Sequence, residues 1–541
     1  MLKRLESYPI LTICIVTALM MLPGLNSIPV SIMEARNFVT AREMINDGHW
    51  ILTTMNGLAR YEKPPLPTWL TAFSSMIFGV KSVFAMRLPT VLFMMITGVF
   101  IFKISDLLTE NRLQSLLNGF VAITSFYVLG ITVEAPWDIF THGFMLVAIY
   151  YTFNWLQTHN NNLKNVLLAI LFIGFSFLSK GPVSLFALLL PFILSYGIVY
   201  KYTKRSILSV IGILLLGIAL GASWFIYVRL KDPATFTAIA QKETGNWSSY
   251  NVRPFYYYWS FFTQSGIWTI PAFMSLLYPY LKNRVTNKKG YLFSFLWTII
   301  AVILLSLIPE KKSRYLMPVL LPLSINIGFY LNYLIREFKA LKDKRETLPV
   351  YFNFGLIGTI AIVAPFLIYF MLSDKLSNHW LQFALLTIVS LICGVLFFLK
   401  LKKKELLHVI VLTVSFFVGL VATGLPLAGI FKTENYRSFD EIKTDYKSLE
   451  IYGLEEPSPE IIWSFGEKIQ AIKNEDSTIS HPHLETFGLL SSEYDLKKNI
   501  DLLQSKYQIK EVGSFDLNTA ASNSRSYKTR LHKNLYILTR R

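Results

Sequence analysis

Long apolar runs recur along most of this 541-residue chain, and they constrain its fold more than any other feature. A helix that crosses a bilayer needs about 20 mostly apolar residues, and about thirteen such stretches occur before residue 431. They are predicted near residues 8–25, 83–105, 114–132, 139–156, 165–181, 182–200, 206–228, 258–281, 291–308, 315–335, 351–373, 380–399 and 406–430. Because the mean hydropathy is +0.44 and 53% of the residues are hydrophobic, an ordinary soluble globule is excluded. The sequence therefore predicts a multi-spanning α-helical membrane protein.

Positive charge is distributed as expected for a membrane protein of defined topology. The net charge is +18, but most lysines and arginines lie in short loops between apolar runs, so nucleic-acid binding is not expected. With the N-terminus in the cytoplasm, every inward segment is basic, as the positive-inside rule requires. These segments contain Lys3/Arg4, Lys103/Arg112, Lys164, Lys201/Lys204/Arg205, Lys282/Arg284/Lys288/Lys289, Arg336/Lys339/Lys342/Lys344/Arg345 and Lys400/Lys402/Lys403/Lys404. An odd number of spans then places the C-terminus outside the cytoplasm.

Two domains are expected from the change in composition along the chain. Residues 1–431 are predicted to form the transmembrane domain, which includes a long first extracytoplasmic loop at 26–82. Beyond the last span the hydropathy falls, and helix and strand patterns alternate, as in Pro459–Lys473 and Lys533–Thr539. Residues 432–541 are therefore predicted to form a small soluble α/β domain on the outer side.

The first extracytoplasmic loop is predicted to contain two helices. Glu34–Asp47 has a helical pattern, and Pro67–Val80 is apolar but too short to cross a membrane comfortably. The second segment is therefore predicted to be an interfacial helix.

Charged side chains recur at the outer ends of the predicted helices, where basic residues are normally scarce. They come from the first loop, the start of the fourth span, the end of the fifth span and the loop before the tenth span. These residues are Glu34, Arg36, Arg42, Glu43, Arg60, Glu62, Lys63, Glu134, Asp138, Lys180 and those in the segment 310–315. Lys63 is the most informative, because it lies between an acidic residue and two prolines that restrict its backbone. Carboxylates accept protons from hydroxyls or amines, and cations stabilise charge on a phosphate. The pattern indicates an anion site on the outer face, with a lipid-linked phosphate as the candidate ligand.

Each of these elements also has a purely structural explanation. The charges of the first loop suit a solvated helix face, and Asp138 suits a helix cap. Lys180, before a Gly-Pro turn, suits a lysine that reaches the membrane surface. The basic residues at 311–314 suit contacts with lipid headgroups, and His142 suits a satisfied polar group within the membrane. The coincidence of the outer-end charges at one depth is what favours a shared site.

Short motifs occur in a fixed order along the first 330 residues. They are Met33-Glu34-Ala35-Arg36, Arg42-Glu43-Met44, Gly48-His49-Trp50, Tyr61-Glu62-Lys63-Pro64, Pro136-Trp137-Asp138, Ser179-Lys180-Gly181-Pro182, Arg253-Pro254-Phe255 and Lys311-Lys312-Ser313-Arg314-Tyr315. In kind and order they resemble the motifs of the GT-C glycosyltransferases that use polyprenyl-phosphate donors. The closest match is the bacterial aminoarabinose lipid A transferase group, which is related to the protein O-mannosyltransferases. The last hundred residues resemble this family only by architecture.

The resemblance implies a glycosyltransferase of the bacterial inner membrane with its site on the outer face. It would transfer a sugar, with inversion, from a polyprenyl-phosphate donor to a lipid A-like glycolipid, another glycan or a protein. Catalytic roles fall on Glu34, Asp138 and Glu62, and donor-phosphate binding falls on Lys63, Arg36, Lys180, Arg314, Tyr315, Arg60, Arg253 and Lys312. The family's first acidic residue is Met33 here, so one of the three carboxylates would take its place.

No cofactor or metal ion is expected, because lysine and arginine can supply the neutralising charge. The two cysteines, Cys14 and Cys393, lie in separate apolar runs, so neither a disulfide nor a cysteine-based metal site is expected.

Two other functions fit parts of the sequence. A transporter or flippase is one, but such proteins usually place ionisable groups near the middle of the bilayer and have related halves. Here the ionisable residues cluster at helix ends, and no duplicated half is detected. A catalytically weakened relative of the transferases is the other, because of the replacement at Met33.

Overall fold

The computed structural model describes residues 6–134, 136–158, 162–474 and 476–541. Lys3 and Arg4, which belong to the charge pattern above, lie outside these residues. By their contacts, the residues form two compact units. The first unit comprises the chain through Ser27 with Tyr61–Leu70 and Arg87–Leu427, and the second comprises Ile28–Arg60, Thr71–Met86 and Ala428–Arg541.

The first unit contains most of the apolar helices, and the prediction of a multi-spanning membrane protein is confirmed. In the described part of the chain, eight helices are long and apolar enough to cross a membrane. They are Val83–Thr109, Leu163–Lys180, Lys204–Lys231, Lys288–Leu307, Ser313–Glu337, Lys344–Lys375, Trp380–Lys402 and Leu406–Phe431. Arg112–Ile123 and Phe126–Glu134 form a ninth candidate, bent by 49°. The total of thirteen spans stays a prediction.

The remaining helices are shorter or more polar. Pro136–Thr158 has 23 residues and covers the fourth predicted span, while Pro9–Gly24, Leu66–Phe78 and Leu185–Val199 are short and apolar. The segment after the seventh predicted span contains the helix Pro233–Ser249.

The single helix predicted over 258–281 is wrong. This segment consists of the 3₁₀ turns Phe255–Tyr258 and Phe261–Trp268, followed by the α-helices Thr269–Leu276 and Tyr278–Leu281. Gly266 interrupts helical geometry with φ 66° and ψ −112°, a conformation that side-chain-bearing residues rarely adopt.

The second unit contains a small mixed sheet. Its strands are β3 (Ile451–Gly453), β4 (Thr486–Ser491), β5 (Tyr507–Asp516) and β6 (His532–Arg540), in the spatial order β3-β4-β6-β5. The strands β1 (Thr54–Met55) and β2 (Leu58–Ala59) form a separate hairpin in the same unit. β3 and β4 are parallel, and the other neighbours are antiparallel. Leu489 packs into one hydrophobic cluster and the next residue, Leu490, into another, so both faces of the sheet are covered. Helices Glu441–Asp445, Pro459–Phe465, Glu493–Lys498 and Ile500–Gln504 accompany the sheet, so this segment has the α/β structure that the patterns predict.

Most of the first loop belongs to the second unit, apart from Tyr61–Leu70 and the residues before Ile28. Its helix Ile32–Asp47 packs against Pro459–Phe465, and the β1–β2 hairpin turns at Asn56 and Gly57, which both have positive φ. The Asn56 side chain exchanges two hydrogen bonds with the backbone of Ile469, both 2.8 Å long. Asn-Gly is the preferred pair for such a two-residue turn.

Two glycines fix the packing of the helices Leu163–Lys180 and Lys204–Lys231 in the first unit. A Cβ at Gly217 would lie 2.6 Å from Ile173, and one at Gly221 would lie 2.3 Å from Phe177. Small residues four apart allow the backbones of membrane helices to approach closely. This contact holds the last turn of Leu163–Lys180, which carries Lys180.

We expect Gly221→Leu to destabilise the protein by about 2 kcal/mol or more, because the added side chain overlaps Phe177 at a close helix contact. Gly212→Leu is the matched control, since a Cβ at Gly212 meets nothing within 4 Å on the same helix. Thermal unfolding of the two purified variants in detergent measures the difference. Equal stabilities would contradict the close packing at Gly221.

Candidate active site

The candidate site begins where two neighbouring helices end. Asp138 lies in the first turn of Pro136–Thr158, and Lys180 is the last residue of Leu163–Lys180. These consecutive helices pack against each other, so the start of one lies beside the end of the next. Gly181, with φ 74°, terminates the second helix, and its N–H donates to Phe177 at 2.7 Å. The Lys-Gly-Pro sequence thereby places Lys180 level with Asp138.

Asp138 and Lys180 form a buried ion pair. Their side chains are 2% and 8% exposed, and Lys180 Nζ donates to Asp138 Oδ1. On the next turn of the helix, His142 Nε2 lies 4.0 Å from the same carboxylate oxygen. His142 Nδ1 is 2.9 Å from Ser184 Oγ. His142 is therefore hydrogen-bonded through Nδ1, while its Nε2 lies beyond hydrogen-bond distance of Asp138.

Arg314 and Tyr315 stand beside this pair on the 3₁₀ turn Ser313–Leu316. The charge of Arg314 acts on both Asp138 and Lys180. The ring centroid of Tyr315 lies 5.4 Å from Lys180 Nζ and 5.7 Å from Lys312 Nζ. These distances allow cation–π attraction. The structure thus brings together Asp138, Lys180, Arg314 and Tyr315, four of the residues that the motifs select.

Arg314 is the cation of this group that lacks a counter-ion. Within the described part of the chain its guanidinium makes no salt bridge, and its buried Nε has no hydrogen-bond partner. Leaving a buried donor unsatisfied costs about 1–3 kcal/mol, and more for a charged group. An anionic ligand would remove that cost.

Lys312 is held by its neighbours. Its Nζ lies 2.5 Å from Glu310, and the hydroxyl of Tyr258 bonds the Lys312 backbone N–H at 3.0 Å and C=O at 3.1 Å. Burial lowers the pKa of Lys312, but the hydrogen bond and charge of Glu310 outweigh burial, so the pKa lies above its usual value. Lys312 therefore stays protonated at neutral pH.

Lys311 has a structural position instead. Its Nζ donates to the carbonyls of Arg253 at 3.1 Å and Ile308 at 2.5 Å, and burial lowers its pKa. Val252 and Glu310 form an antiparallel bridge. The backbone of Arg253 thus supports the 310–315 segment, while its side chain is exposed.

A cavity of about 470 Å³ adjoins these cations. It is lined by Phe126, Tyr127, Gly130, Ile131, Glu134, Lys312, Ser313 and Arg314. Its volume is typical of a small-molecule site. Aromatic, apolar and charged groups therefore surround one space next to the unpaired Arg314.

Lys63 lies near the cluster. Its charge acts on Lys180, and its Nζ is 3.5 Å from Glu243 on the helix Pro233–Ser249. Tyr61 donates to Asp232 at 3.1 Å, and burial together with Asp232 raises the pKa of Tyr61 to about 12. The side chain of Glu62 is exposed. Tyr61 and Lys63 thus connect this motif to the segment 232–249.

Three predicted site residues lie in the second unit: Glu34, Arg36 and Arg60. Glu34 accepts from the backbone of Ser31 at 2.9 Å, and its own N–H donates to Ser31 Oγ, which makes a capping box for Ile32–Asp47. Arg60 donates to the carbonyl of Arg36 and to Thr40, both at 2.9 Å. These contacts explain the burial of Glu34 and Arg60 structurally, and their roles in a reaction stay predictions.

The second unit also contains one group of potential metal ligands among the described residues. Oxygen or nitrogen atoms of Glu43, Asp47 and His49 lie within 4.8 Å of one another. Glu43 already accepts hydrogen bonds from Thr54, Asn56 and Gly57, and Asp47 lies 3.0 Å from Lys468. Hydrogen bonds within the chain account for this group.

Glu310 and Tyr258 are additions to the residues that the motifs select. Glu310 directly precedes the Lys311–Tyr315 motif, so its charge was visible in the sequence, but its pairing with Lys312 depends on the bridge to Val252. Tyr258 lies in an aromatic run, and nothing in that run distinguishes it from its neighbours.

Sequence comparison finds similarity to transferases named for lipid-phosphate-linked sugars. A family model described as dolichyl-phosphate-mannose-protein mannosyltransferase matches residues 62–227. An undecaprenyl phosphate-α-4-amino-4-deoxy-L-arabinose arabinosyl transferase of Proteus mirabilis is 27% identical over 341 residues, which are 61% of this chain and 60% of that protein. The transferase of the same description from Photorhabdus laumondii is 22% identical, over 68% of this chain and 66% of that protein. The matched region is thus less than two thirds of the length of each relative.

The structural comparison extends over nearly the whole chain. The crystal structure of ArnT from Cupriavidus metallidurans bound to undecaprenyl phosphate matches with a TM-score of 0.67 and 12% identity, covering 98% of both chains. The fold is GT-C. The resemblance inferred from the motifs is confirmed, and with the apolar helices it supports a multi-pass membrane protein.

We expect Asp138→Asn alone and Lys180→Met alone to be strongly destabilising, by about 3–5 kcal/mol each, because each leaves one buried charge without its partner. The double variant contains neither charge, so it should lose much less than the sum of the two. Thermal unfolding of the unaltered protein, the two single variants and the double variant in detergent measures the coupling between the two residues. Glu493→Gln and Lys497→Met form the control cycle, since that ion pair is exposed and should show no measurable coupling. Additive losses at Asp138 and Lys180 would contradict a coupled pair.

Proposed function

We propose that this protein is a membrane glycosyltransferase that moves a sugar from a polyprenyl-phosphate donor to an extracytoplasmic acceptor. The observation that carries the proposal is the guanidinium of Arg314, which makes no salt bridge among the described residues and lies on a cavity beside the Asp138–Lys180 pair. The relatives are named for transfer from undecaprenyl phosphate, and the matching ArnT structure contains undecaprenyl phosphate. The acceptor is a lipid A-like glycolipid, another glycan or a protein.

The donor phosphate would bind among the cations. Arg314 offers unused donors, Lys312 is protonated, and Lys180 and Lys63 lie within electrostatic range of each other. A phosphate diester is singly charged, and transfer of its sugar leaves a phosphate with a second negative charge. Fixed cations stabilise that developing charge, which lowers the barrier to transfer.

The reaction is a single displacement at the anomeric carbon. An oxygen of the acceptor forms the new bond to that carbon, the bond from the carbon to the phosphate oxygen breaks, and its electron pair remains on the lipid phosphate. When the acceptor is a hydroxyl, its proton must pass to a base. We assign that role to Asp138, because it is the predicted carboxylate that contacts the cation cluster. As Lys180 moves towards the phosphate, the Asp138 carboxylate becomes available for the proton.

The site would face away from the cytoplasm, with the N-terminus inside and the C-terminal segment outside. The distribution of lysine and arginine among the loops supports this orientation. Polyprenyl-linked sugars can be presented on the outer face of the inner membrane, whereas nucleotide sugars are cytoplasmic. We further propose that residues 432–541 form an extracytoplasmic soluble domain.

The orientation predicts a labelling pattern. In a background with Cys14→Ser and Cys393→Ser, Glu62→Cys should react with a membrane-impermeant thiol reagent in intact spheroplasts, since Glu62 is exposed in the outward loop. Lys342→Cys lies in a predicted cytoplasmic loop and should react only after the membrane is permeabilised. The reverse pattern would place the site in the cytoplasm and contradict the proposal.

The activity is tested with purified protein in nanodiscs and undecaprenyl phosphate carrying a radiolabelled sugar. Lys180→Met should lower the rate of sugar transfer at least about 100-fold, because it removes one of the charges placed near the leaving phosphate. Lys164→Met is the control at the other, exposed end of the same helix and should remain active.

The products separate the proposed function from its alternative. Mass spectrometry of glycolipids, glycans and proteins should identify a covalent sugar product that depends on Lys180. Transbilayer movement of the labelled lipid without any covalent product would instead support a transporter or flippase.

A further inference from the structure

Two buried groups line up behind Asp138, the proposed base. Ser184 Oγ, the imidazole of His142 and the Asp138 carboxylate follow one another with separations of 2.9 and 4.0 Å. All three residues are at most 1% exposed, so water does not replace any of these contacts. On its other side, Asp138 is held by Lys180.

The hydrogen-bond roles of His142 follow from the charge that it faces. A neutral imidazole has one N–H donor and one bare nitrogen. A bare Nε2 facing a buried carboxylate at 4.0 Å would be repelled, whereas an Nε2–H is attracted. Ser184 therefore donates its hydroxyl proton to Nδ1, which leaves Nε2–H directed at Asp138.

The distance between Nε2 and the carboxylate is about 1 Å longer than an ordinary N–H···O hydrogen bond. While Lys180 occupies Asp138 Oδ1, the carboxylate already has a strong charged donor. Removing Lys180 from Asp138 would leave a buried carboxylate whose neighbouring donor is the imidazole. A small movement of either side chain then forms the missing hydrogen bond.

We propose that His142 is a positioning residue that replaces Lys180 as the partner of Asp138 when the donor phosphate binds. Ser184 sets the orientation and tautomer of the imidazole for this exchange. The proposal rests on the proposed function for its timing, but the exchange of partners itself is a property of the folded protein. The exchange explains how Asp138 keeps one orientation after Lys180 has moved to the donor phosphate.

The exchange can be measured without any activity. Lys180→Met removes the competing cation, so His142 should then couple to Asp138. We expect a double-mutant cycle with Asp138→Asn and His142→Phe to show a clearly larger coupling in thermal unfolding in the Lys180→Met background than in the otherwise unaltered protein. Equal coupling in the two backgrounds would overturn the proposal, whatever reaction the protein catalyses.

The effect on the reaction distinguishes positioning from general stability. His142→Phe should lower kcat for sugar transfer about tenfold or more while leaving KM for the donor nearly unchanged, because the phosphate is bound by other residues. His142→Gln keeps an N–H donor at the corresponding position and should recover most of the rate. In an Asp138→Asn background, His142→Phe should cause no further loss.

Thr141→Val is the matched control for a buried polar group on the same helix. Thr141 bonds Ser176 at 2.9 Å on the neighbouring helix, so its loss should lower stability but not kcat. If His142→Gln is no better than His142→Phe, or if His142→Phe lowers kcat equally with and without Asp138, the positioning role is wrong. Sugar transfer by the unaltered protein is measured in a separate assay. Its absence would contradict the proposed function, whereas the coupling measurement tests the exchange of partners.

Discussion

The buried ion pair between Asp138 and Lys180 is the interaction on which the rest of the candidate site depends. Removing two charges from water is costly, and such a pair persists only where the surrounding structure holds it in good geometry. Here the geometry comes from two consecutive helices, one with Asp138 in its first turn and the other ending at Lys180. The glycine contact behind the second helix keeps its last turn from shifting. Packing within the bilayer region thus determines the position of two charges at its edge.

The neighbouring segment 310–315 supplies cations in two different electrostatic states. Lys312 is neutralised by Glu310 and framed by Tyr258, whereas Arg314 has a buried donor without a partner. A site in which every cation were paired would gain little from binding an anion. One unsatisfied guanidinium next to a cavity makes anion binding favourable, and the paired lysines can exchange their carboxylates for the ligand. The same exchange would make Asp138 available as a base and His142 important for its orientation.

The motifs of the first loop illustrate that residues of one sequence pattern need not share one task. Tyr61 and Lys63 belong to the first unit and contact the segment 232–249. Glu34 caps its own helix, and the hairpin at Asn56 is bonded to Ile469 near the other end of the chain. The spacing of Ser31 and Glu34 marks a capping carboxylate in the sequence, whereas the pairing of Asp138 with Lys180 depends on a contact between two helices. Their hydrogen-bond partners separate the two carboxylates.

The sequence by itself determined the membrane class, most of the helices and the helix ends at which charges occur. These follow from hydropathy, which depends on composition over about 20 residues, and from Pro and Gly at helix ends, which act locally. The motif order was likewise sufficient for the GT-C fold. Only the tertiary structure decided that Gly266 breaks the segment 258–281, that Arg314 makes no salt bridge among the described residues and that His142 contacts Ser184. Such properties depend on which side chains meet across helices, and no local pattern in the sequence specifies those contacts.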